Sequence, residues 1–319
     1  MNIVVLDAYP ASADDSSWDG LKKLGATEVY VHTSEGQVLE RSADADIILT
    51  NKVIFNKDII AKLPKLKYIG VLATGVNNLD MSAASAAGIT VTNIPAYSTD
   101  SVAQMAFAHF LSVANKVESY SADVRKGEWE QSKHFCFYTH KQVELSGKTL
   151  GIIGFGKIGQ KIAKISQAFG MNVVFNNRSD KRGLISGTEQ VDIETLFSVC
   201  DFISVNTPLT EENKEFIDSS LLSKCKDSVV ISNTGRGLLV NEQDMADALE
   251  QGLIRAYCAD VLSSEPPSGD NPLLHARNCY LTPHIAWATV EARARLINIA
   301  TENVEYFIRG RPQCVCNNF

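Results

Sequence analysis

The sequence has no apolar run of membrane-spanning length, no block of basic residues, no C-x-x-C pair and no low-complexity linker. Each absence removes a class. A bilayer-spanning helix needs about 20 apolar residues, so no membrane is expected as a partner. A formal net charge of -7 without a Lys/Arg cluster argues against a nucleic-acid surface. The cysteines number seven, which is odd, and their spacing suggests no disulfide framework, so a reducing cytoplasm is the expected compartment. Met1-Asn2 runs straight into strand-like Ile3-Val4-Val5-Leu6, so no signal peptide is expected. His134, Cys136 and His140 match no standard ligand spacing, and Cys314-Val315-Cys316 reads as two ordinary thiols; no metal is expected.

What is present is 319 residues with 45% hydrophobic content, enough for two domains with full cores. The stretch Thr149 to Gly159 organises them. An apolar run of strand length ends in Gly154, Gly156 and Gly159, spaced G-x-G-x-x-G. A helical pattern follows, with Ile158, Ile162, Ile165 and Phe169 on one face, and then the apolar run Val173-Val174-Phe175. Strand, glycine turn, helix and strand in this order make a dinucleotide site. Gly154 permits the turn, Gly156 lets the backbone approach a pyrophosphate, Gly159 lets helix and strand pack closely, and the helix N-terminus faces the phosphates.

The first hundred residues alternate strands and helices, with strands expected at 3–6, 29–31, 47–49, 68–72 and 89–91. That alternation predicts a parallel sheet covered by helices. One long helix is expected from about Ser98 to Val124, with Val102, Met105, Ala106, His109 and Val113 on its apolar side and His109 a packed core residue. The polar, aromatic-dotted segment Lys126 to Glu144 reads as a surface arm. Beyond the glycine motif, strands at 202–205, 229–232, 257–260 and 280–282 predict a doubly wound sheet of about six strands. A last helix is expected from Thr289 to Ile308.

Ligands bind at the carboxyl ends of the strands in such sheets. Thr50-Asn51-Lys52 and Ala73-Thr74-Gly75 lie there in the first half, where N–H groups could face an anion. Thr207-Pro208, Asn233-Thr234-Gly235-Arg236-Gly237, Asp260 and Pro283-His284 lie there in the second, with Glu265 five residues beyond Asp260. Arg, Glu and His converging on a nicotinamide would suit hydride-transfer chemistry. The guanidinium holds a substrate carboxylate in bidentate fashion, the histidine moves the hydroxyl proton, and the carboxylate holds the histidine.

These stretches resemble the D-isomer-specific 2-hydroxyacid dehydrogenases over nearly the whole chain. The shared elements are Thr50-Asn51-Lys52, Ala73 to Asp80, Asn93 to Thr99, GFGKIG at 154–159, Asn233 to Gly237, Asp260-Val261-Leu262 with Glu265-Pro266-Pro267, Asn271 to Leu274, and Thr282 to Ala288. The Asn-Lys, Ala-Tyr-Ser-Thr and His-Ile-Ala-Trp-Ala stretches are most similar to the glycerate dehydrogenase/hydroxypyruvate reductase branch. The resemblance implies two doubly wound parallel-sheet domains, a Rossmann NAD(P)-binding domain inserted in a flavodoxin-like substrate domain. The expected division is 1–98 plus 290–319 for the substrate domain and 99–289 for the Rossmann domain, with a dimerisation arm near 118–147 in a homodimer.

By the same resemblance Arg236 binds the substrate carboxylate and polarises the carbonyl, His284 is the acid/base, and Glu265 holds His284. Lys52, Ala73, Thr74, Gly75 and Trp287 complete the substrate site. The cofactor residues are Gly154, Gly156, Lys157, Ile158, Gly159, Asn177, Arg178, Thr207, Thr234 and Asp260, with Asp260 orienting the nicotinamide carboxamide. Gly235 stands where the branch usually has alanine. A larger departure is Asn177, which stands where an acidic residue would bind the ribose 2′-OH and select NAD. With Arg178 next to it, and Lys181 and Arg182 close behind, a 2′-phosphate could be clamped. NADP(H) is therefore expected over NAD(H). The expected reaction is interconversion of hydroxypyruvate and D-glycerate, with a broader glyoxylate or 2-ketoacid reductase as the alternative. A different class, a cofactor-sensing corepressor-like scaffold, would keep the same residues.

Overall fold

The computed structural model describes residues 1–12 and 17–317; the expected substrate-domain ranges thus include residues 13–16 and 318–319, which lie outside the described ones. The chain divides into two compact units, Met1–Ser98 with Trp287–Phe319, and Thr99–Ala286. The second crossing precedes the expected 289/290, because Trp287 joins the core of the first unit and meets Tyr97 edge-on at 6.2 Å between ring centroids.

Unit 1 is a five-stranded parallel sheet of β1 (Asn2–Val5), β2 (Ala26–Val29), β3 (Ile47–Thr50), β4 (Tyr68–Val71) and β5 (Thr90–Thr92), ordered 2-1-3-4-5. That is the flavodoxin-like order. The register aligns Ile3 with Ile47 and Thr50 with Val71, so the β3 and β4 loops leave the sheet side by side. Both faces are covered, which is why β3 and β4 read as continuous apolar runs rather than alternating ones. One face buries Ile3, Val5 and Leu49 against Ala292, Leu296 and Val304 of the helix Val290–Ile308; the other buries Val4, Ile48 and Ile69 against Phe55, Ile60 and Ala84. Thr289 caps that last helix by accepting the Ala292 N–H. Residues 314–317 run along β5: the Cys316 N–H donates to the Val91 carbonyl, and buried Asn317 receives the Val91 N–H at 2.8 Å.

Unit 2 is a seven-stranded parallel sheet of β6 (Thr149–Ile153), β7 (Asn172–Asn176), β8 (Thr188–Gln190), β9 (Phe202–Val205), β10 (Val230–Asn233), β11 (Ala256–Ala259) and β12 (Cys279–Leu281). Its order, 12-11-10-9-6-7-8, is the Rossmann arrangement with one further strand. Sequence alone suggested about six strands; β8 was missed because Thr-Glu-Gln on a sheet edge carries no apolar signal. The helix Lys157–Ala168 buries Ile162 and Ala163, whereas Phe169 just beyond it is exposed and stacks on Phe107 at 5.4 Å.

The single helix expected from Ser98 to Val124 is two, Thr99–Asn115 and Val117–Arg125. Lys116 breaks it with a left-handed backbone (φ 54°), and its ammonium donates to the Tyr280 hydroxyl at 2.7 Å. His109 is buried in the first of these helices, as expected, with Nδ1 3.0 Å from the Ser232 hydroxyl. The arm holds no helix or strand over 126–144, and His140 pairs with Asp123 at 2.9 Å. No helix among the described residues is long and apolar enough to cross a membrane.

Candidate active site

The carboxyl edge of the unit 2 sheet carries most of the residues singled out above. Because β6 lies between β9 and β7, the glycine turn is flanked by the Thr207 turn and the Asn177 turn. Gly154 has φ 93° and approaches its neighbour so closely that a Cβ would sit 2.7 Å from the Thr207 nitrogen. At Gly159 a Cβ would lie 2.3 Å from the Gly154 carbonyl oxygen, so glycine is what lets the helix start against the strand. No atom of the described residues lies within 4 Å of a Cβ placed on Gly156, the residue that caps the helix. A tight turn, an open backbone edge and a helix N-terminus fit the pyrophosphate of a dinucleotide.

Asn177 follows β7 and is used at both ends of its side chain. Its Oδ1 accepts the Phe155 N–H at 3.0 Å, which ties it to the glycine turn, and its Nδ2 donates to the Ser179 carbonyl at 2.9 Å. Of the three nearby cations Arg182 is occupied, gripping both oxygens of Asp180 through Nε (3.0 Å) and Nη2 (2.9 Å). Arg178 is exposed and forms no ion pair among the described residues.

Arg236 sits on a turn built by Asn233, which is fully buried. The Asn233 Oδ1 accepts the Gly235 N–H at 3.0 Å and its Nδ2 donates to the Arg236 carbonyl at 2.9 Å. Thr234 reaches Asn206 at 3.4 Å. A Cβ on Gly235 would stand 3.3 Å from the Thr207 and Val205 carbonyl oxygens, a narrow fit for the alanine common in the branch. Gly237 decides the placement of the turn: a Cβ there would overlap the Leu262 backbone, 1.9 Å from its carbonyl carbon. The turn bearing Arg236 therefore rests directly on the loop bearing Glu265. The exposed guanidinium of Arg236 makes one bond through Nη1, to the neighbouring Gly235 carbonyl at 2.8 Å.

Glu265 and His284 meet: Oε2 lies 2.5 Å from Nδ1, while Oε1 accepts the Leu262 N–H at 3.2 Å. The carboxylate fixes the ring and leaves Nε2 as the atom able to exchange a proton with a ligand. His284 has a left-handed backbone (φ 55°), rare for a side chain of this size, and the chain is over-determined around it. Its N–H donates to the Asp260 carbonyl at 2.8 Å. The Asp260 carboxylate, 2% exposed, accepts the Thr282 hydroxyl at 2.6 Å and the N–H groups of Ile285 (2.9 Å) and Ala286 (2.7 Å). Burial raises the Asp260 carboxyl above its ordinary range, against the lowering effect of these donors. So Asp260 holds the histidine segment by main chain and side chain together, an anchoring role that sequence reasoning did not assign to it. The pair borders a cavity of about 360 Å³ whose walls include Leu262, Pro266, Pro267, Leu274 and Leu281.

In unit 1 the loop after β4 is tied down through its carbonyls. The Ile94 N–H donates to the Ala73 carbonyl at 3.0 Å and Asn93 Nδ2 to the Thr74 carbonyl at 2.7 Å, while the Thr74 hydroxyl reaches the Ile94 carbonyl at 2.9 Å. The N–H groups of Ala73, Thr74 and Gly75 donate to no acceptor among the described residues. Beside them, Asn51 Nδ2 donates to the Leu72 carbonyl at 2.8 Å. The N–H groups of Asn51 and Lys52 are taken by Asp7, a residue that the sequence reading passed over. Its only signal was an acid placed directly after a strand. Trp287 packs on Tyr97 in the unit 1 core and is half-buried.

The family profile described as D-isomer specific 2-hydroxyacid dehydrogenase, NAD binding domain, matches residues 107–286. Among similar proteins, the hydroxypyruvate reductase of Blautia hydrogenotrophica is 42% identical across 99% of this chain and 100% of its own. The glycerate dehydrogenase of Methylorubrum extorquens is 38% identical across 88% of each chain. Among solved structures, an acyclic imino acid reductase in complex with NADPH and D-Arg superposes with a TM-score of 0.87 at 32% identity, covering 99% of this chain and 100% of that one. Fold, glycine turn and full-length similarity agree: the chain belongs to the D-isomer-specific 2-hydroxyacid dehydrogenases.

Proposed function

We propose that the protein interconverts hydroxypyruvate and D-glycerate as a nicotinamide-dependent oxidoreductase. The observation that carries the chemistry is the 2.5 Å contact of Glu265 with His284, on a loop in contact with the Arg236 turn. The choice of substrate follows the hydroxypyruvate reductase and glycerate dehydrogenase among the relatives. Glyoxylate reductases at 36% and 38% identity support a broader 2-ketoacid reductase as the second reading.

In this proposal the glycine turn, with Lys157, Ile158, Thr207, Thr234 and Asp260, holds the cofactor, whose nicotinamide supplies or accepts a hydride when bound. The free N–H groups of Ala73, Thr74 and Gly75 take the substrate carboxylate. Arg236 draws electron density onto the carbonyl oxygen, stabilising the developing alkoxide by charge and by its planar donors. His284 delivers a proton from Nε2 to that oxygen in reduction and removes it in oxidation, while Glu265 keeps the ring turned and balances its charge. Lys52 and Trp287 line the substrate's remainder. With Asn177 in place of an acid and Arg178 unpaired, NADP(H) is the preferred cofactor. The arm, with Phe135 90% and Tyr138 83% exposed, is proposed as the contact of a homodimer. The test is reduction of hydroxypyruvate and glyoxylate with NADPH and NADH. Absence of turnover with every pair would favour a cofactor-binding scaffold and reject the enzyme.

A further inference from the structure

Asp7 follows β1 in unit 1 and is 7% exposed, yet it forms no ion pair among the described residues. Main-chain donors satisfy it instead: Oδ1 accepts the Asn51 N–H at 2.7 Å and Oδ2 the Lys52 N–H at 2.6 Å. Burying a carboxylate without a cation is costly unless donors of this kind replace its water. The carboxylate offers an acceptor on each oxygen, whereas the matching amide would turn a donor toward one of the two N–H groups. The held turn is extended by Asn51, 6% exposed, whose side chain donates to the Leu72 carbonyl at 2.8 Å. That carbonyl immediately precedes the Ala73-Thr74-Gly75 loop with its free N–H groups. Lys52 itself points an exposed side chain outward, and its ammonium has no carboxylate partner among the described residues.

We infer that Asp7 is a positioning residue for the binding of 2-oxo acids: its buried carboxylate fixes the Thr50-Asn51-Lys52 turn and so presents Lys52 beside the Ala73-Thr74-Gly75 loop. The inference rests on the 2-oxo-acid reading above and deepens it. It locates part of the substrate specificity in a side chain that never touches substrate.

The experiment measures KM and kcat for hydroxypyruvate, KM for the cofactor, and Tm, in wild type, Asp7→Ala, Asp7→Asn, Lys52→Ala and the Asp7→Ala/Lys52→Ala double variant. Asp7→Ala should raise the oxo-acid KM about tenfold, the size expected for losing a charge-assisted hydrogen bond, with the cofactor KM unmoved. Asp7→Asn keeps one acceptor and should raise it by about threefold; it carries the test if the alanine variant does not fold. In the Lys52→Ala background the same change should cost less than about twofold, because the two residues act through one turn. A lowered Tm with unmoved oxo-acid KM, or equal rises in both KM values, overturns the inference alone. A wild type inactive on every oxo acid overturns the functional reading and this inference with it.

Discussion

Lowering the pH should destabilise the Rossmann unit through His109. The imidazole is 5% exposed between the helix Thr99–Asn115 and β10, and its Nε2 has no hydrogen-bond partner among the described residues. Burial lowers its pKa from 6.5 to about 4. In the folded protein the ring therefore stays neutral where the unfolded chain already takes up a proton. Between those two values the unfolded state binds more protons, so stability is intact above pH 6.5 and falls as the pH drops toward 4. The full linkage is about 3 kcal/mol, of which about 2 kcal/mol is lost at pH 5. For a unit of this size that corresponds to a fall in Tm of roughly 4–8 °C. The assay compares wild type with His109→Asn, which keeps a polar atom near Ser232 but does not titrate. Thermal unfolding at pH 7 and pH 5 should show the extra fall in wild type only. Other titrating groups are common to both proteins and cancel in the comparison. Equal falls in both would refute the claim that the site desolvates the imidazole.

Three further outcomes are expected. His284→Gln should lower kcat by roughly 10²–10⁴ while cofactor affinity, measured by fluorescence titration, stays within about twofold. Arg178→Ala should reduce kcat/KM for NADPH about tenfold and leave NADH nearly unchanged; equal effects on both would count against a phosphate clamp. Gly237→Ala forces a Cβ onto the Leu262 backbone. It should separate the Arg236 turn from the Glu265 loop and depress kcat/KM for the oxo acid far more than Thr234→Ser does, as steady-state rates would show.

Much of this was legible because the informative residues are punctuation. Gly154, Gly156 and Gly159 mark a turn whose geometry excludes side chains, and the strand ends that follow line up on one edge once the sheet is parallel. The Glu265–His284 pair was readable through resemblance and position together. What stayed hidden depends on partners distant in the chain. Nothing local announces that Lys116 leaves the helix, because the reason includes Tyr280 on a strand far away. Nothing beside Asp260 marks its anchoring role, because the three donors its carboxylate accepts lie more than 20 residues later.

The discontinuous make-up of unit 1 bears on how the polypeptide leaves the ribosome. Its opening strands emerge with one flank bare, because Ala292, Leu296 and Val304 are still unsynthesised, as is the segment that lines β5. The Rossmann unit, drawn from one uninterrupted stretch, has every part it needs by Ala286. Domains close as units as they are made. Here residues 99–286 hold all of the Rossmann unit before the helix that covers one face of unit 1 is made.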